Sequence, residues 1–107
     1  MKDARLYLIH ILESAEKVED YTRKGRDAFM DSPMTQDAVV RNFEVIGEAV
    51  KQIPDHLKQE HPDIPWRRIA GLRDVLIHQY MSVDLERYGQ SLRIYSTLVA
   101  SVLSEEV

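Results

Sequence analysis

Leu85-Glu86-Arg87-Tyr88-Gly89-Gln90-Ser91-Leu92-Arg93-Ile94-Tyr95-Ser96-Thr97-Leu98-Val99-Ala100-Ser101-Val102 carries the fold in its spacing. Leu85, Tyr88, Leu92, Tyr95, Val99 and Val102 advance by three and four in strict alternation. That spacing puts all six on one stripe of an α-helix starting near Val83 or Asp84 and leaves polar residues around the rest. A seam this regular over about five turns fits helices packed side by side in a bundle.

The same stepping recurs toward the N-terminus. Trp66, Ile69, Leu72 and Leu76 predict a third helix that starts near Pro65, with Asp63 as its candidate cap, and runs to the polar group His78-Gln79-Tyr80. Before it, Pro54, Pro62 and Pro65 bracket a polar stretch from Asp55 to His61, which predicts a connector containing one or two helical turns. Val39, Phe43, Ile46, Val50 and Ile53 predict a second helix from Met34 to Ile53, with Ser32 as N-cap and Pro33 in its first turn. Ala4, Leu8, Ile11, Ala15, Val18, Thr22, Gly25 and Phe29 predict one long first helix. No segment alternates with the period of two that a half-buried strand requires, and no repeat of 20 to 50 residues appears. The expected fold is all-α: an antiparallel four-helix bundle with a short extra helical turn between helices 2 and 3.

A chain of 107 residues has the size of one domain, so residues 1–107 are expected to share one core without metal or disulfide staples. The absence of cysteine excludes a disulfide framework and a thiolate zinc site, and suits a reducing compartment. His10 and Glu13 interrupt the N-terminal apolar run, so neither a signal peptide nor a spanning helix is expected, and the expected location is cytoplasmic. His10, His56 and His61 make no recognised metal spacing, and no Gly-rich phosphate loop occurs. No metal and no cofactor are expected.

The net charge of −4 argues against a nucleic-acid partner for the chain as a whole, but it is unevenly spread. Between Pro65 and Tyr95, Arg67, Arg68, Arg73, Arg87 and Arg93 face only Asp74, Asp84 and Glu86, a local +2 that leaves −6 for the remainder. A polyanion is therefore expected to meet this half. An ordinary solvated helix surface accounts for the same charges equally well.

Within that half, Arg73, His78 and Tyr80 form an Arg-x4-His-x-Tyr triplet. With 4 His and 5 Tyr in 107 residues, a shuffled chain contains such a triplet roughly 0.016 times. Cleaving RNA without a metal requires a base for the 2′-hydroxyl proton, an acid for the leaving 5′-oxygen and a cation for the phosphoryl oxygens. The unperturbed pKa of a histidine such as His78 lies close to working pH, and the planar fork of Arg73 matches two phosphate oxygens. Asp74, four residues before His78, stands in register to orient the imidazole.

On a straight helix Arg73 and Tyr80 share a face, whereas His78 points about 140° away from Arg73. The motif should therefore work at a helix end, at a distortion, or across two subunits. Because one triplet holds one histidine and the reaction needs two proton-transfer groups, a homodimer with two copies of His78 across a cleft is expected. Arg41, Arg67 and Arg68 are weaker candidates for guiding RNA. Each of these side chains also has an ordinary structural role: His78 as a helix C-cap, Arg73 paired with Asp74 or Glu48, Tyr80 half-buried in the core.

Three blocks carry a family resemblance: Arg41-Asn42-Phe43-Glu44-Val45-Ile46-Gly47-Glu48-Ala49, then Ile64-Pro65-Trp66-Arg67-Arg68-Ile69-Ala70-Gly71-Leu72-Arg73-Asp74, and His78-Gln79-Tyr80 with Val83-Asp84. With them the chain resembles the HepT-like toxins of the HEPN superfamily, small helical-bundle ribonucleases of prokaryotic toxin–antitoxin operons. The resemblance implies a metal-independent endoribonuclease of a type VII toxin–antitoxin pair, acting as a dimer, with Arg73 and His78 as catalytic pair and Asp74 as the supporting polar residue. It implies RNA as substrate, with no DNA specificity and no membrane partner. It also implies an MntA-like minimal nucleotidyltransferase antitoxin that silences cleavage by adenylylating Tyr80. Bundles of this superfamily also serve as non-catalytic nucleotide- or partner-binding modules, which is the alternative expectation.

Overall fold

The computed structural model of the chain describes residues 4–71 and 85–106, with side-chain environments over 4–71 and 93–105. Six helices are present among them, and no strand: α1 (Ala4–Tyr21), α2 (Arg26–Met30), α3 (Pro33–Gln52), α4 (Asp55–Glu60), α5 (Trp66–Ala70) and α6 (Leu85–Glu106). The all-α class read from the periodicity is thus the observed one. Three long helices build the body. α1 packs against both α3 and α6, while α3 also receives α2 and α5.

The long first helix predicted over Ala4 to Phe29 is instead two helices. α1 stops at Tyr21, and the Thr22 hydroxyl turns back to donate to the Val18 carbonyl at 2.8 Å. Gly25 then adopts φ 93 and ψ −176, a conformation essentially reserved for glycine, before α2 begins. The apolar spacing nevertheless predicted the right inward residues: Leu8, Ile11, Ala15, Val18 and Phe29 are all buried. Periodicity reports which side chains must leave water, and a redirected short helix delivers Phe29 to the core as well as a continuous one.

The predicted start of α3 is observed in detail. Ser32 Oγ accepts from the Thr35 N–H at 3.2 Å, and Pro33 occupies the first turn where its missing N–H costs nothing. Gln36 Nε2 donates to the Phe29 and Met30 carbonyls at 2.9 and 3.0 Å, satisfying the C-terminal end of α2 from the first turn of α3. α3 buries Val39, Phe43, Ile46 and Val50, then ends at Gln52, with C-cap Ile53 at the extended ψ of 127 that a following proline imposes. The predicted helical turn in the connector is α4, anchored by buried Leu57.

Asp63 does not cap the next helix. The residue in the cap position of α5 is Pro65, with no side-chain cap bond, and the Trp66 N–H is satisfied by the Ile64 carbonyl at 2.9 Å. The backbone turn that Pro65 sets up leaves Asp63 two residues short of the cap position. α5 ends at Ala70 with Gly71 as its C-cap; the rest of the predicted third helix, with Leu72 and Leu76, lies outside the described residues. On α6, Val99 and Val102 are buried and Tyr95 is half-buried, as the seam requires. The side chains of Leu85, Tyr88 and Leu92 also lie outside the described set.

Candidate functional site

Arg73, Asp74, His78 and Tyr80 all fall outside the described residues. What the structure does describe is the scaffold leading into them. α5 is only five residues long, too short to hold itself as an isolated helix, so its position depends on what it buries. Trp66 and Ile69 enter the core, and Trp66 Nε1 donates to the His61 carbonyl at 3.2 Å, tying the helix to the connector before it. His61 in turn reaches the far end of α6, its Nε2 lying 3.3 Å from a Glu105 carboxylate oxygen. At the other end of α5, the Gly71 N–H is shared between the Arg67 and Arg68 carbonyls at 3.1 and 3.2 Å, closing the turn two residues before Arg73.

A groove of about 390 Å³ runs between α3 and the end of α5, lined by Arg41, Phe43, Glu44, Gly47, Glu48, Lys51 and Ala70. Arg41, Glu44, Glu48 and Lys51 step along one polar stripe of α3, beside the apolar stripe that faces the core. The cations are partnered within the stripe: Arg41 lies 3.7 Å from the Glu44 carboxylate, and Lys51 Nζ donates to Glu48 at 3.4 Å. Both pairs are exposed and therefore weak.

The weaker RNA-guiding candidates are thus divided. Arg41 shares the groove with the end of α5, whereas Arg67 and Arg68 are exposed around a separate, open depression with Pro65 and Trp66. Glu48, considered as a partner for Arg73, is bonded to Lys51. Lys51, Glu44 and Gly47 are groove residues that reading the apolar stripe alone passed over. The three-and-four spacing of Arg41, Glu44, Glu48 and Lys51 is the signal that finds them. Among the described residues, no group of three or more His, Asp or Glu side chains is placed to hold a metal ion. Nor is any described helix long and apolar enough to cross a membrane.

Residues 11–94 match the family model for ribonuclease HepT-like proteins, a span that covers α3, α5 and the whole Arg73-to-Tyr80 motif. The chain belongs to the HepT-like ribonuclease family. It is 48% identical over 80 residues to a protein of Thermococcus cleftensis named "probable ribonuclease HepT", covering 74% of this chain and 73% of that one. It is also 48% identical over 85 residues to a Methanocaldococcus jannaschii protein whose name joins "gamma-glutamylcyclotransferase" to "putative RNase". There the match takes in 78% of this HepT-like chain but only 38% of the relative, so the chain spans little more than a third of that protein. No solved structure matches the chain significantly.

Proposed function

We propose that this HepT-like chain is a metal-independent endoribonuclease, the toxin of a type VII toxin–antitoxin pair. The single observation that carries the reading is the family match over residues 11–94, within which the Arg73, His78 and Tyr80 spacing stands complete. His78 acts as general base on the 2′-hydroxyl. The freed 2′-oxygen attacks the adjacent phosphorus, the bond from phosphorus to the 5′-oxygen breaks, and a protonated His78 from a second subunit supplies the proton to the leaving oxygen. Arg73 neutralises the charge that grows on the phosphoryl oxygens. The products are a 2′,3′-cyclic phosphate and a 5′-hydroxyl.

Adenylylation of Tyr80 by a minimal nucleotidyltransferase antitoxin silences this site, because each AMP sets bulk and a negative phosphodiester close to Arg73 in sequence, where substrate phosphate must bind. The cations Arg41 and Lys51 of the α3 groove support the same reading by offering exposed phosphate contacts near the end of α5.

The test is cleavage of total RNA by purified protein in EDTA. Wild type should cleave, while Arg73→Ala and His78→Ala should each lose on the order of 100-fold or more with unchanged circular dichroism. Shifted RNA or nucleotide mobility without cleavage would instead establish the non-catalytic binding module. Mixed dimers of wild-type and His78→Ala subunits should be nearly inactive; half-normal activity would rule out chemistry shared across the interface.

A further inference from the structure

The interior of α3 contains a glycine that its backbone does not require. Glycine in the middle of a helix is less favourable than alanine, and among the described residues only Gly25 has positive φ, so Gly47 is not there for conformational reach. Space is the reason. A Cβ on Gly47 would lie 3.2 Å from the Ala70 carbonyl oxygen, closer than ordinary van der Waals contact. The obstructing atom belongs to the backbone of α5, not to the end of a side chain that could swing aside.

A Cβ there asks one of the two helices to give by a few tenths of an ångström. α3 is held by Phe43, Ile46 and Val50 in the core, and α5 by Trp66 and Ile69. Past Ala70, the Gly71 N–H is shared between the Arg67 and Arg68 carbonyls and closes α5, and Arg73 follows two residues later in the sequence. We propose that Gly47 is a positioning residue for RNA cleavage: by lacking a side chain it lets the Ala70 carbonyl close against α3, and this close approach sets where the chain enters the Arg73 motif. The inference rests on the ribonuclease reading above. Displacements well below 1 Å matter here, because reacting groups misplaced by about 1 Å cost on the order of 100-fold in rate.

Trp66 is the chain's only tryptophan and sits on α5, so its fluorescence reports the docking of this helix directly. In Gly47→Ala, Trp66 should become more accessible to acrylamide while far-ultraviolet circular dichroism stays unchanged. Single-turnover cleavage should slow by roughly 10-fold at unchanged KM, and further in Gly47→Val. Met34→Ala, at a strongly exposed position of the same helix, is the control and should match wild type in every readout.

Wild-type cleavage together with wild-type kcat and Trp66 quenching in Gly47→Ala overturns the inference and leaves the ribonuclease reading standing. A loss of rate matched by an equal loss of folded protein also overturns it, since the role is then structural. Absence of wild-type cleavage in EDTA overturns both. Should Gly47→Ala be too unstable for kinetics at 37 °C, the measurements are made at about 15 °C, near the usual stability maximum, with the same criteria.

Discussion

Replacing Ile69 isolates the contribution that places α5. The side chain is 1% exposed on a helix of five residues, and the only other buried anchor on that helix is Trp66. Ile69→Ala removes three carbons. At about 0.8 kcal/mol for each buried methyl or methylene, the transfer loss is about 2.4 kcal/mol. A residual cavity on the order of 40 Å³ adds about 1 kcal/mol at roughly 24 cal/mol per Å³. The expected destabilisation is therefore about 3.4 kcal/mol, a large part of the total stability of a domain this size. Ile69→Val removes a single carbon and should cost about 1 kcal/mol. Urea titrations followed by circular dichroism measure both, with the m-value unchanged so that the midpoint alone carries the difference. In thermal melts the alanine variant should fall by roughly 14 °C. An Ile69→Ala protein within about 0.5 kcal/mol of wild type would show that α5 is held by something other than its buried face.

Three further outcomes are expected. Gly25→Ala should destabilise by about 1 to 3 kcal/mol in a urea titration from backbone strain alone, because a Cβ there meets nothing within 4 Å. Ser32→Ala removes the side-chain bond to the Thr35 N–H and should cost about 1 kcal/mol, with Ser32→Asp restoring most of it. Co-expression with a minimal nucleotidyltransferase should add AMP mass units to the intact protein, and Tyr80→Phe should abolish them; an unchanged mass ladder in that variant would place the modification elsewhere.

The apolar stripes, the Ser32-Pro33 helix start and the proline connector are local properties, and each was legible along the chain because it depends on residues three or four apart. The Arg-x4-His-x-Tyr motif and its flanking blocks were legible in the same way, as residue types at fixed spacing. Continuity of the first helix was not: Leu8 through Phe29 satisfy one helical face whether or not the chain turns at Gly25. The Asp63 cap failed for a related reason, because the carbonyl of Ile64 took the donor that a cap would have satisfied.

What the linear chain determined by itself is the helical class, the buried faces of the described helices and the residue types at the motif, since these follow from side-chain type and helical period. What only the packed molecule decided is distance between helices: that Gly47 admits the carbonyl of Ala70, that Arg41 shares a groove with the end of α5, and that Arg67 and Arg68 do not. Such approaches depend on the combined volumes of side chains from several helices, and no spacing within a single helix records them.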